Sequence, residues 1–438
     1  MIVKYLKENS KNNQLSNAER RYEIFVLRNL TANFFPYLMH GMLSQIAFRL
    51  INAPTFVPAY LLTLSGGSNL IVGVALFFQG LGQTLTPLVG ANLISHRKRV
   101  LPVGLMVGMA MRINIFFIGI SGLYLSEEGA LIAIIIFLGL FGMSEGMQGV
   151  IFNFLSSKIL PVSRRGMLMG TRNFLGGTSA SIFAFLVGSY FLEGQIGTSG
   201  YSLTFIVSFF ISVGGLMVLL FLREPEPPDI SKKIALLEQL KEIPAILKKE
   251  KAYRSFFLAR AISTMGKMTL PFYVLYAGQN VSLSGYVLGM LTFVFTLSNT
   301  FSNLVWGLIA DLYGFRIVFL SSISFWIAGS SVFFFSSSLE AIILVFAVVG
   351  GSLSGFEISS RNLILEFGTL KDRPSLIAIA NTAAQMAGSL GPLLGGFIAT
   401  WFGYEKVFLT GTSFLFLGGA LVVFFVAEPR KRFNDLPR

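Results

Sequence analysis

The sequence predicts an all-α polytopic membrane protein with twelve transmembrane helices, and three observations carry this prediction. Hydrophobic residues make up 53% of the 438 residues and charged residues only 13%, which is more apolar surface than a soluble core can bury. The apolar residues form segments of about 20, the length at which a helix crosses a bilayer. The second half of the chain also repeats features of the first half in the same order.

The segments follow one another through the chain with short polar connections. The twelve predicted segments cover residues 33–63, 69–93, 101–122, 130–156, 168–191, 201–222, 254–278, 284–309, 317–337, 341–364, 374–400 and 406–427.

The amino-terminal residues 1–32 are polar and mixed in charge, which predicts a cytoplasmic extension and not a signal peptide. Ser16 and Glu19 form a candidate capping box ahead of an amphipathic stretch that reaches Leu30. This stretch either lies along the membrane surface or belongs to a disordered leader, and the sequence leaves both open.

Basic residues are concentrated in the loops on one side of the predicted membrane. Arg97 to Arg99, Lys158, Arg164, Arg165, Arg316, Lys371 and Arg373 fall in these loops, whereas the other loops are mostly acidic. Because Lys and Arg accumulate in cytoplasmic loops, both termini are predicted to be cytoplasmic, in a cell membrane whose inner headgroups are anionic. The acidic loops, which hold Glu127, Glu193, Glu340 and Glu405, define the predicted outer side.

Several function classes are excluded by composition. The net charge of +13 sits in inner loops and tails, without the aromatic and basic stripe of a nucleic-acid surface. The sequence has no cysteine and two distant histidines, so no metal site or cofactor is expected. Gly266-Lys267 lacks the rest of a phosphate loop, and no catalytic combination of nucleophile and base is evident, so an enzyme is not expected.

A polar segment divides the chain into two halves. Residues 223–253 open with Glu224-Pro225 and continue as a Lys-rich amphipathic stretch, which predicts a cytoplasmic linker. Gly214-Gly215 and Glu224-Pro225 recur as Gly418-Gly419 and Glu428-Pro429, and Pro58 and Asn173 match Pro271 and Asn381. The predicted domains are therefore a bundle at 33–222, a bundle at 254–427 and a tail at 428–438.

Four segments carry one charge near mid-membrane depth: Arg49, Glu145, Lys267 and Glu357. A charge at the bilayer centre costs about 2.5 to 3.5 kcal/mol on insertion scales, so it is rare without a partner or a task. The series predicts a polar path through the middle of the protein.

Two six-helix halves in parallel repeat resemble the major facilitator superfamily, and the resemblance covers nearly the whole chain. The loop from Gly307 to Arg316 is similar to that family's signature between the second and third helices of a half. The resemblance implies a conformational latch formed by Gly307, Asp311, Gly314 and Arg316, with Gly307 allowing close helix approach. The first-half copy lacks the acidic residue, since Ile94 and Ser95 occupy its place.

The resemblance also implies that the first, fourth, seventh and tenth helices line one cavity. The residues expected to contact a solute are Arg49, Asn52, Arg112, Gln148, Lys267, Tyr273 and Tyr276. Glu145 stands where the family often has an arginine, and either couples a proton or forms a static ion pair with Arg49 or Arg112. Glu357 is a second candidate for proton coupling, or the partner of Arg361.

The predicted function is secondary active transport of a small anionic or zwitterionic organic solute by alternating access, with H+ as a candidate coupling ion. The mid-membrane charges are net positive by one when Arg112 is included, which favours an anion. The segment from Gly388 to Gly396 predicts tight helix packing.

The protein is expected to be a monomer. The alternative is a membrane scaffold or sensor that kept this fold without transport.

Overall fold

The computed structural model describes residues 17–193, 199–226, 251–335, 338–367 and 373–426. A helix from Asn17–Arg28 precedes the membrane-spanning part. The twelve spans that follow are named span 1 to span 12 in chain order. They are Leu30–Asn52 with Phe56–Leu64, Asn69–Leu85 with Pro87–Ser95, Leu101–Tyr124, Glu127–Ile159, Val162–Val187 with Gly188–Leu192, Ser199–Val218 with Leu219–Phe221, Lys251–Met265 with Gly266–Thr269 and Leu270–Asn280, Gly285–Tyr313, Phe315–Val332, Leu339–Asn362, Arg373–Phe402 and Tyr404–Phe425.

The predicted all-α class with twelve helices is confirmed by this architecture. Nine helices among the described residues are long and apolar enough to cross a membrane, or ten when the two helices of span 1, bent by 44°, count as one. Spans 7 and 11 are not among them, and the two helices of span 7 are short, at 15 and 11 residues. The predicted domain boundaries stay a prediction, and the amphipathic stretch of the linker lies outside the described residues.

Serine caps begin four spans on the predicted outer side. The side chain of the residue before each helix accepts a hydrogen bond from the backbone N–H three residues later, which satisfies one of the free donors of the first turn. These caps are Ser68 for span 2, Ser126 for span 4, Ser284 for span 8 and Ser338 for span 10. A serine in the sequence therefore marks where each of spans 2, 4, 8 and 10 begins.

A cluster of polar residues links helix ends on the predicted inner side of the first bundle. The Glu224 carboxylate accepts hydrogen bonds from the backbone N–H groups of Val100 and Leu101, at 2.7 and 2.9 Å, where span 3 begins. Lys158, at the end of span 4, forms an ion pair with the same carboxylate, and both side chains are only 4% exposed. Tyr22 of the amino-terminal helix donates to the Lys158 carbonyl oxygen. The cluster thus joins the ends of spans 3, 4 and 6.

The segment that resembles the family latch forms the turn between spans 8 and 9, and its role as a latch stays a prediction. Gly314 has a φ of +93°, which lets the chain turn sharply between spans 8 and 9. Arg316 donates to the carbonyl oxygens of Val422 and Val423 at the end of span 12, at 3.4 and 3.1 Å. The close helix approach predicted at Gly307 is wrong, because a Cβ there would meet no atom within 4 Å.

Candidate functional site

The two bundles touch through glycines on the predicted outer side. A Cβ on Gly73 of span 2 would lie 2.5 Å from the carbonyl oxygen of Pro392 in span 11. A Cβ on Gly188, at the end of span 5, would lie 2.4 Å from the carbonyl oxygen of Gly285, where span 8 begins. Small residues let the backbones meet at both places, and the tight packing predicted for Gly388 to Gly396 is found in span 11.

Hydrogen bonds join the bundles on the same side. They run from the Tyr404 hydroxyl to Asn69 Oδ1 at 2.6 Å, from the Tyr286 backbone N–H to Glu193 Oε2 at 2.8 Å, and from the Thr292 hydroxyl to Thr55 Oγ1 at 2.7 Å. The predicted outer side is therefore closed. Because polar residues at the centre are still exposed, we interpret the central space as open toward the predicted inner side.

The first-bundle part of the candidate site is a chain of amides that ends on a carboxylate. Asn52 Nδ2 donates to Glu145 Oε1 at 3.0 Å, and Gln79 Nε2 donates to Asn52 Oδ1 at 2.9 Å. Gln83 is a second amide neighbour of the same carboxylate. Asn52 is exposed although Ile51 and Ala53 beside it are buried, as expected for a residue that faces an open central space. Glu145 is thus held by neutral amides.

Arg49 lies at the boundary between the bundles. Its Nε donates to Gln45 Oε1 at 2.9 Å, and its Nη1 donates to the hydroxyl of Thr300 in span 8 at 3.3 Å. Gln45 in turn donates to the Arg172 carbonyl oxygen at 3.0 Å. Both acceptors of the Arg49 guanidinium are neutral, so the static pair of Arg49 with Glu145 is not formed in this conformation.

The second-bundle part of the site is an ion-pair cluster. Lys267 Nζ lies 2.8 Å from Glu357 Oε1, and Arg361 Nη2 lies 3.7 Å from Glu357 Oε2. The Lys267 and Glu357 side chains are 27% and 37% exposed, so the cluster can be reached from the central space. Lys267 occupies the Gly266–Thr269 turn that interrupts span 7. Glu357 is therefore the ion-pair partner of Lys267 and Arg361 in this conformation.

Several predicted solute contacts lie inside a bundle. Arg112 is fully buried and donates to the carbonyl oxygens of Ser212 and Gly108 and to the Ser44 hydroxyl. Its guanidinium carbon also stands 5.2 Å from the centre of the Phe48 ring. These contacts satisfy Arg112 within the first bundle, so it does not fit the predicted roles of solute contact or partner of Glu145.

Gln148 and Tyr273 also differ from the prediction, and the role predicted for Tyr276 stays a prediction. Gln148 is 6% exposed, on the side of span 4 that faces Gly108. Tyr273 is 2% exposed and its hydroxyl bonds to Ser330, whereas Tyr276 is half-buried and stacks edge-on against neighbouring rings. The resemblance indicates which helices line the cavity, and hydropathy indicates depth, but neither tells which face of a helix a side chain occupies.

Two cations near the site were not predicted. Arg260 of span 7 is 6% exposed and its Nη2 donates to Asn381 Oδ1 at 2.8 Å. Arg172 of span 5 is half-buried, with its guanidinium carbon 5.9 Å from the centre of the Tyr37 ring. Both arginines lie within predicted apolar segments, which is a signal in the sequence, but they are nearer the predicted inner ends than mid-membrane depth. Among the described residues, no group of acidic residues and histidines has the arrangement of a metal site.

Comparisons with known proteins agree with this architecture. The family model described as Major Facilitator Superfamily matches residues 255–437. A structure of a point mutant of the nucleoside transporter NupG superposes with a TM-score of 0.71 at 14% identity, over 89% of this chain and 100% of that one. A structure of a D-xylose-proton symporter gives 0.66 at 14% identity, over 93% and 99%.

Curated relatives are transporters as well. The multi-drug resistance efflux pump PmrA of Streptococcus pneumoniae serotype 4 is 28% identical over 173 residues, which are 39% of this chain and only 43% of PmrA. The uncharacterized MFS-type transporter YuxJ of Bacillus subtilis is 24% identical over 279 residues, which are 62% of this chain and 68% of YuxJ. The family model over residues 255–437, these relatives and the fold agree, and they make the chain similar to transporters of the major facilitator superfamily.

Proposed function

We propose that this protein is a secondary active transporter that carries a small organic anion across the membrane. The single observation that carries the proposal is the placement of Arg49 and Lys267. They lie on spans 1 and 7, at the edge of one central space, with side chains that are partly exposed although they sit at mid-membrane depth. A scaffold gains nothing from charges that are costly to bury there.

Arg49 is the first-bundle anion contact in this proposal. Among the described residues, its guanidinium donates to the neutral side chains of Gln45 and Thr300. An anionic group can replace these acceptors and gain a charge-assisted pair without first displacing a carboxylate. Because Thr300 belongs to the other bundle, an anion on Arg49 would also exchange a contact between the bundles for a contact with the solute.

Lys267 is an anion contact of the second bundle in this proposal. Its ammonium is shared with Glu357, which also pairs with Arg361. If Glu357 turns to Arg361 alone, Lys267 becomes available to a solute. Two cations on one carboxylate permit that exchange without leaving the carboxylate unpaired.

Glu145 is proposed as the proton-carrying group. Asn52 and Gln79 are neutral, so a proton can arrive at Glu145 or leave it without breaking an ion pair. When the carboxylate is protonated, the Asn52 amide is free to turn and bind the solute. Protonation and solute binding would then be linked through one side chain.

The test is uptake into proteoliposomes that contain the purified protein. We expect a panel of radiolabelled organic anions to include one that accumulates when the pH gradient is imposed, and Glu145→Gln to abolish the effect of the gradient while exchange without a gradient persists. Uptake that ignores the gradient, with Glu145→Gln behaving as wild type, would remove Glu145 from the proposal. Because PmrA is named as a multi-drug efflux pump, the cation ethidium serves as the contrasting probe. Transport of ethidium but of no anion would overturn the anion class.

A further inference from the structure

Arg260 is a buried cation with unused hydrogen-bonding capacity. Its Nη2 is bound to Asn381, whereas its Nη1 is buried and has no hydrogen-bond partner in the part of the chain that the structure describes. A buried N–H without an acceptor is rare in folded proteins and is costly, so it calls for an explanation. A ligand that brings a hydrogen-bond acceptor to Arg260 Nη1 would be such an explanation.

In the internal repeat, Arg260 lies close to the position that corresponds to Arg49. Arg49 lies nine residues before Pro58, and Arg260 lies eleven residues before the matching Pro271, so the two arginines are within two residues of equivalent positions. Their surroundings correspond as well. Gln45, which holds Arg49, approaches Asn173 Oδ1 at 3.5 Å, and Arg260 binds the matching Asn381.

Cations outnumber carboxylates around this space. Arg49 is within electrostatic range of Glu357 and Arg172, and Arg260 is within range of Glu357 and Arg361. The charged residues connected to this space by the contacts above are the cations Arg49, Arg172, Arg260, Lys267 and Arg361 and the carboxylates Glu145 and Glu357. The excess of three positive charges is more than a monoanion neutralises.

We propose that the solute carries two separate anionic groups, one bound by Arg49 of the first bundle and the other by Arg260 of the second. This inference rests on the proposed function, since it specifies the anion that the site takes. The planar guanidinium presents paired donors that match carboxylate and phosphate oxygens, and the hydrogen bonds of both arginines go to neutral acceptors. A solute held at both ends joins the bundles and favours their closure around it.

The experiment compares dianions with monoanions of the same skeleton on the full-length protein in detergent. The probes are the dicarboxylates from malonate to adipate, their monomethyl esters, and phosphonoacetate, which tests whether a phosphonate can replace one carboxylate. Binding is measured by titration calorimetry. We expect the best dicarboxylate to bind at least about 30-fold more tightly than its ester, as for a buried charge pair. Arg260→Gln should remove this difference and leave the affinity for the ester unchanged.

Two further variants keep the inference testable if Arg260→Gln does not fold. Arg49→Gln should abolish the same preference, and Asn381→Ala, which keeps the cation, should retain it. Equal losses for dicarboxylate and ester in Arg260→Gln, or no loss for either, would overturn the two-ended site and leave the anion proposal standing. If the wild type binds esters as tightly as dicarboxylates, the two-ended site is likewise overturned and the anion proposal stands. If no anion binds, the proposed function fails with it.

Discussion

Replacing Gly73 by alanine should shift the protein toward a conformation that is open on the predicted outer side. The added Cβ would lie 2.5 Å from the Pro392 carbonyl oxygen and 3.1 Å from the Gly396 Cα. Ordinary contacts begin at 3.4 Å, so spans 2 and 11 must separate by up to about 0.9 Å at this point, the difference from 2.5 Å. In an outward-open conformation the two spans part and the clash disappears.

The expected magnitude follows from the cost of overpacking. Extra methyl groups in well-packed interiors cost about 1 to 3 kcal/mol, and here the cost falls only on the outward-closed conformation. The ratio of outward-open to outward-closed protein should therefore rise by about 5-fold to 150-fold. The increase is the same whichever conformation dominates in the wild type.

The assay is a distance measurement between spin labels by double electron-electron resonance. The sequence has no cysteine, so labels can be placed without removing native thiols. Glu128→Cys and Glu405→Cys put labels on exposed residues at the outer ends of spans 4 and 12, one in each bundle. Gly73→Ala should increase the population at the longer distance.

Two other glycines provide matched controls. Gly214→Ala adds the same methyl group where no atom lies within 4 Å, and it should leave the distance distribution unchanged. Gly142→Ala clashes with the Gln79 carbonyl oxygen inside the first bundle, so it should lower thermal stability without favouring either conformation. If Gly73→Ala leaves the distribution as in the wild type, or changes it no more than Gly214→Ala does, the contact does not close the outer side and the reasoning is refuted.

Three further predictions concern the charged groups. Lys158→Met should lower the free energy of unfolding by about 3 to 5 kcal/mol, because it leaves Glu224 buried without its cation. Arg99→Met should lower it by less than about 1 kcal/mol, because the Arg99 side chain is 67% exposed. Thermal and denaturant unfolding measure both changes, and equal effects would contradict the burial argument. Arg112→Leu should reduce stability and leave the relative affinities for different anions unchanged, as calorimetry would show, and a changed order of affinities would return Arg112 to the solute path. Glu357→Gln should weaken the hold on Lys267 and raise affinity for monoanions, and a fall in that affinity would mean that Glu357 contacts the solute.

The sequence predicted the fold well because membrane helices have a simple physical signal. Spans must be apolar for about 20 residues, and positive loops indicate their orientation. The broken spans were harder to see. Asn52 ends the first helix of span 1, and Lys267 lies in the turn that interrupts span 7. In both cases, a polar residue and a nearby proline mark the break, but the pattern does not distinguish a break from a kink.

The site was predicted only in part, for reasons that particular residues show. Depth placed Arg49, Glu145, Lys267 and Glu357 near the centre, but depth cannot tell which way a side chain faces. Arg112 has the same depth and turns into its own bundle. Partners such as the Asn52 amide depend on how spans 1 and 4 pack, and no sequence period encodes that contact.

Binding of organic anions to the charge variants tests the central claim most directly. Calorimetry on the purified wild type should identify an anion that binds, and Arg49→Met and Lys267→Met should each weaken that binding at least about 10-fold, the change for 1.4 kcal/mol. Arg99→Met, which removes an exposed cation on the predicted inner side, should bind as the wild type does. Unchanged affinity in both Arg49→Met and Lys267→Met would contradict an anion site between the bundles.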